Sequence, residues 1–108
     1  MDSLKVTDDA SAAVATHPRV SLADIKASIA SIHYGRGNII TMDAEDAILT
    51  ICLLKMKNGF IVIGKSAPAS PENFNREVGE GFAYEDAVRQ LWPLMGFALR
   101  DRLANGQA

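Results

Sequence analysis

The sequence predicts a small α+β domain. Three observations predict it: an N-capped apolar stripe at helical spacing near residue 21, two apolar β-rich runs joined by Asn58-Gly59, and a long helix-period segment from Ser70 to Leu103. The expected order is an N-terminal helix, a small antiparallel sheet built on a hairpin at about 47–65, and a C-terminal helical arm broken near Pro93. At 108 residues the chain makes one domain, placed at 21–105, with residues 1–20 as a flexible tail.

Composition narrows the function classes. Apolar residues are 48% and charged residues 22%, the balance of a soluble globular protein. A net charge of -2 argues against duplex nucleic acid as a partner, because phosphate backbones demand a surplus of Lys and Arg. A local basic pocket for one small anion needs only a few residues and stays open. Cys52 is the sole cysteine, so neither a disulfide framework nor a cysteine-based zinc site is expected. No secretory leader or membrane-length apolar run is read, and the expected location is the cytoplasm.

Residues 1–20 carry few large apolar side chains and no period, hence the tail. Ser21 and Asp24 then form a capping-box variant, and Leu22, Ile25, Ile29 and Ile32 fall on one stripe. A helix from about Leu22 to Ser31 follows. It is expected to end before a Gly35-Arg36-Gly37-Asn38 turn. Arg36 between two glycines is either an ordinary loop arginine or a phosphate reader. The carboxylates at Asp43, Glu45 and Asp46 lack the spacing of a calcium loop, and no metal is expected.

Ala47 to Met56 is apolar on both strand faces, so cover on both sides is expected. Asn58-Gly59 signals a tight turn with positive φ at both positions, pairing Ile48–Lys57 with Phe60–Lys65. One hairpin is not stable alone. Ile39 to Thr41 is a candidate third strand, and the two-sided apolar sheet is a reason to expect a homo-oligomer.

Ser70-Pro71 reads as a cap with a first-turn proline, and the arm is helical from Asn75. Tyr84, Ala87, Val88, Leu91, Met95, Ala98 and Leu99 form its packing stripe, with Glu85 and Arg89 as an i,i+4 pair. Gly79 and Gly81 serve either close packing on the sheet or room for a ligand. Pro93 predicts a kink or break after Trp92.

Several of these motifs also carry a resemblance. Lys57-Asn58-Gly59-Phe60, Gly64-Lys65-Ser66-Ala67, Pro71-Glu72-Asn73-Phe74-Asn75, Ala83-Tyr84-Glu85-Asp86-Ala87 and Leu91-Trp92-Pro93-Leu94 resemble a small tailed-phage and prophage family of the coliphage N4 type. That family is similar in turn to the first class of Thoeris anti-defence proteins, phage sponges that sequester cyclic ADP-ribose isomers or cyclic oligonucleotides. The resemblance implies a cyclic nucleotide second messenger as partner, no catalysis, no cofactor, and an oligomer with pockets between subunits.

Only the Asn73-Phe74 motif is carried over from that similarity. The remaining candidates come from chemistry. Arg36, Lys65, Arg76 and Arg89 could meet phosphates. Phe74 and Tyr84 could stack on bases, and Asn73 could bond a base edge or ribose. Each also has a structural reading: Phe74 as a core anchor, Asn73 as a turn residue. No nucleophile–base pair or phosphate loop is present in the motifs, so an enzyme is not expected. A small accessory protein that binds a host protein is the alternative.

Overall fold

The computed structural model describes residues 3–107, and all statements below concern them. The fold is α+β: short helices, a three-stranded antiparallel sheet and one long C-terminal helix. In chain order the elements are α1 (Ser3–Val14), α2 (Leu22–Ser28), β1 (Ile29–Arg36), α3 (Gly37–Thr41), a 3-10 turn (Ala44–Ile48), β2 (Thr50–Met56), β3 (Ile61–Ser66), a second 3-10 turn (Pro71–Asn73) and α4 (Arg76–Ala104).

The capping box is formed as expected. The Asp24 amide donates to Ser21 Oγ at 3.0 Å, and the Ser21 amide donates to Asp24 Oδ2 at 2.9 Å. The helix it starts stops early, at Ser28. Ile29 turns to extended backbone, and the residues expected to finish the helix and form a turn become β1 instead. Leu22 and Ile25 are buried as helix residues, whereas Ile29 and Ile32 belong to a strand. Register with β2 explains the switch: Ile32 lies opposite Leu54, Tyr34 opposite Cys52 and Arg36 opposite Thr50. A ladder of strand hydrogen bonds outweighs one more helical turn of β-branched residues. β1 therefore supplies the third strand, and Ile39 to Thr41, offered for that role, lie in α3.

The sheet order is β1-β2-β3. The hairpin joining β2 and β3 uses a three-residue turn. The Gly59 amide donates to the Met56 carbonyl at 2.9 Å, and the Met56 amide to the Phe60 carbonyl at 2.8 Å. Gly59 alone takes positive φ, at 89°, so the turn is a type I turn closed by a glycine bulge and not the two-residue form expected.

Strand alternation sorts the two faces. Thr50, Cys52, Leu54, Met56, Val62 and Gly64 face α4, where Ala83, Ala87, Val88 and Leu91 complete the core. Gly64 is where helix and sheet touch most closely. A Cβ there would lie 2.1 Å from the Ala83 carbonyl oxygen and 2.5 Å from the Ala87 nitrogen. Gly79 plays the same part from the helix side, with Thr50 Oγ1 2.9 Å from where its Cβ would be. The close-packing reading of Gly79 holds. The other sheet face is open: Ile61 and Ile63 are 53% and 54% exposed. Cover on both sides, expected from the apolar pattern, is not supplied by the described residues.

Helix α4 also seals one border of the sheet. Asp86 Oδ2 accepts the Lys65 amide at 2.9 Å, and Gln90 Nε2 donates to the Ile63 carbonyl at 2.8 Å. These are two of the outward backbone groups of β3. The helix runs unbroken through Pro93, contrary to the expected break. Pro93 is exposed and follows exposed Arg89 by one turn, so the Arg89 carbonyl that loses its amide partner lies on the solvent side.

The expected tail is helical over most of its length. α1 docks through Leu4, which is buried, and through polar ties. Asp8 Oδ1 accepts from the Leu22 amide and from Arg19 Nη1, both at 2.9 Å. Arg89 Nη2 donates to Ser3 Oγ at 2.7 Å, and Ser3 Oγ donates to Glu85 Oε1 at 2.7 Å. Met1 and Asp2 lie outside the described residues.

Candidate functional site

The opening of α4 brings together the most chemically distinctive side chains. Pro71 fixes a first turn, and the Asn73 and Phe74 amides close it on the Ser70 and Pro71 carbonyls. Asn75 then caps α4: its side-chain oxygen accepts the Val78 amide at 3.1 Å. This sequence of caps holds Phe74 half-buried beneath the end of β1. There Arg36 crosses over it, with the guanidinium carbon 4.0 Å from the ring centroid. Arg36 Nε donates to the Ala47 carbonyl, which fixes the plane of the fork.

Beside this pair sits Thr50, directly across the ladder from Arg36 and only 1% exposed. Its hydroxyl has no hydrogen-bond partner among the described residues, and the same is true of Asn38 Oδ1. Gly79 leaves the room that Thr50 and Phe74 share. Next along the same sheet face come Tyr34 and Cys52. Burial, aided by Cys52 and Glu80, pushes the Tyr34 hydroxyl up to about 12. Burial likewise pushes the Cys52 thiol up to about 11, and raises Tyr84. These groups stay neutral near neutral pH. The arrangement offers a cation on an aromatic plane and a buried hydroxyl: parts suited to holding a planar or anionic group.

Among the described residues, no group of three or more His, Cys, Asp and Glu side chains is placed to hold a metal ion. No described helix is long and apolar enough to cross a membrane.

The model of the Phage protein (N4 Gp49/phage Sf6 gene 66) family matches residues 20–103, from the start of α2 to the last turn of α4. The chain belongs to this family. No curated protein and no solved structure matches it. The family segment includes the whole sheet, the Arg36–Phe74 pair and the α4 opening, while α1 precedes it.

Within this phage family domain, the residues singled out in the sequence do not all converge. Arg36 and Phe74 do, and Asn73 is exposed beside them. Arg76 stands at the same helix start, exposed, with its Nε 3.4 Å from Glu80 Oε2. Lys65 is placed elsewhere: it lies opposite Ile51, on the open face of the sheet, away from Phe74. Tyr84 lies farther along α4, at the cleft with α1 and α2. Arg89 is tied to Ser3, so Glu85 and Arg89 meet through that hydroxyl and not as a direct ion pair. Sequence reasoning missed Thr50, Asn38 and Tyr34. A threonine inside the apolar run Ala47 to Met56 was the available signal, since a strand hydroxyl on the core face needs a partner.

Proposed function

We propose that this phage protein is a binding module, a sponge that sequesters a cyclic nucleotide second messenger of host immunity without chemical turnover. Its candidate ligands are cyclic ADP-ribose isomers and cyclic oligonucleotides. It acts in the host cytoplasm as a homo-oligomer whose pockets lie between subunits. Two things support the reading: the resemblance of the Asn73-Phe74 segment to sponge proteins, and membership of a phage family. The single observation that carries it is the stacking of Arg36 on Phe74 at the mouth of α4. A stacked arginine keeps its terminal N–H groups pointed outward for phosphate, and the neighbouring ring edge and Asn73 suit a base or ribose.

Calorimetric titration against cyclic ADP-ribose isomers and cyclic di- and trinucleotides tests it. Saturable binding is expected for at least one ligand, with intact ligand recovered after denaturation. Arg36→Ala is expected to weaken that binding by about tenfold or more, as for loss of a charge-assisted contact. Absence of binding at high micromolar ligand refutes the reading, and recovery of a product in place of ligand makes the protein an enzyme.

A second reading is an accessory protein that blocks a host protein. The observation favouring it is exposed apolar surface: Ile61 and Ile63 on the open sheet face, and Ile39, Ile40 and Met42 at α3. A stoichiometric host partner captured on wild-type protein but lost on Ile61→Lys, with no nucleotide released from the purified protein, decides for it.

A further inference from the structure

The far end of the sheet from Arg36 and Phe74 holds a second concave feature. A cavity of about 450 Å³ opens where the end of α2, the β2–β3 turn and the C-terminal half of α4 meet. Its floor is core: Met56 and Leu91 are buried. Its walls are Phe60, Leu94, Met95 and Ala98. Phe60 and Leu94 are 53% and 46% exposed, so the apolar lining is accessible from solvent. Two cations stand at its rim, Lys57 from the turn and Arg102 from α4. Neither has a carboxylate partner among the described residues, although the chain carries more acidic than basic side chains. No acidic residue lines the cavity.

From this charge arrangement we infer that the cavity binds a small amphipathic anion, with its apolar part against Phe60, Leu94 and Met95 and its acid group between Lys57 and Arg102. The volume is in the usual range for small-molecule sites, roughly 300–1,000 Å³, and mostly apolar walls with a few polar anchors are their usual make-up. Three elements wall the cavity in, which suits a compact molecule better than a helix laid along a trough. Long basic side chains at an apolar rim gain by meeting an anion there, because their stems already lie on apolar surface. The inference does not depend on the nucleotide reading, whose residues sit at the opposite end of β2 and α4.

The test uses the full chain and laurate, below its micellar range, as the probe, with dodecyltrimethylammonium as the cation of equal chain length. Amide chemical shifts and titration calorimetry are recorded together. Expected is saturable binding of laurate with shifts concentrated at Phe60, Leu94 and Arg102, and binding of the cationic analogue weaker by at least about tenfold. The double variant Lys57→Glu, Arg102→Glu alters two exposed positions and should leave the circular dichroism unchanged. It is expected to weaken laurate by about tenfold or more, the usual scale for losing charge-assisted contacts. The inference is overturned by lack of saturation, by equal binding of both probes, by shifts confined to Ile61 and Ile63 on the open sheet face, or by a dimer whose contact closes the cavity to laurate.

Discussion

Gly64→Ala is the substitution whose effect the packing fixes most tightly. Gly64 pairs with Cys52 in the centre of the hairpin and lies under α4. The added methyl would sit 2.1 Å from the Ala83 carbonyl oxygen, 2.5 Å from the Ala87 nitrogen and 2.9 Å from the Ala87 Cβ. Two of the three obstacles are backbone, so no rotamer change relieves them, and α4 must lift from the sheet by close to an ångström. Overpacking a well-filled core costs about 1–3 kcal/mol, and this contact belongs at or beyond the top of that range. For a domain of this size each kcal/mol moves the midpoint by roughly 4–8 °C, so a fall of about 12 °C or more is expected. Trp92 is the reporter: it is half-buried and its indole N–H donates to the Val20 carbonyl at 3.0 Å, so its fluorescence follows urea unfolding. Gly35→Ala is the control, since nothing lies within 4 Å of its Cβ position, and its cost should stay within about 0.5 kcal/mol. Adding Ala87→Gly to the Gly64 variant should restore little, because the closer clashes remain. Stability of Gly64→Ala within about 0.5 kcal/mol of the parent, or full rescue by Ala87→Gly, refutes the reasoning.

Three further outcomes are expected. Thr50→Val exchanges a buried, unpartnered hydroxyl for a methyl of similar shape and should stabilise the fold by about 1–2 kcal/mol in urea melts; a loss of stability means that the hydroxyl is bonded after all. Cys52 should resist thiol reagents in the native state at mildly alkaline pH and react at once in urea. Because its folded pKa is raised from 9.0 to about 11, its contribution is complete below 9 and is lost as pH climbs through that interval, where the unfolded thiol ionises first. Asp8 is the opposite case: the Leu22 amide, then Arg19, hold its carboxyl below the ordinary value, so α1 docking is strongest above that value and weakens as pH falls through the depressed one. Amide exchange of α1 against pH checks this, and Asp8→Asn should flatten the profile.

Much of the fold was legible where local chemistry and tertiary packing agree. The Ser21 cap, the strand alternation of Thr50 to Met56, the glycine turn and the Asn75 start of α4 are all of that kind. β1 was not legible, because Leu22, Ile25, Ile29 and Ile32 obey helical spacing throughout; only pairing with β2 decides that the second pair is extended. α1 was missed because one buried leucine and a few polar ties hold it, and none of these shows as a period. The break expected at Pro93 fails because the sequence does not show that this proline faces solvent. At the candidate site, the chemistry of Arg36 and Phe74 is visible in the sequence, but their stacking is a tertiary fact. Lys65 could have been set apart: its parity matches Ile61 and Ile63, not Val62 and Gly64, and parity alone puts it on the far face.

The side chains of Asp86 and Gln90 along β3 have a consequence for growth. A strand added at β3 would have to displace these two side-chain bonds, whereas no described side chain bonds the outward backbone groups of β1. Edge-to-edge pairing is therefore easier at β1 than at β3. Two chains meeting along β1 would give a single six-stranded sheet whose outer borders are the partly bonded edges of β3. The same two residues that fasten the helix to its strand thus disfavour strand-to-strand growth beyond such a pair.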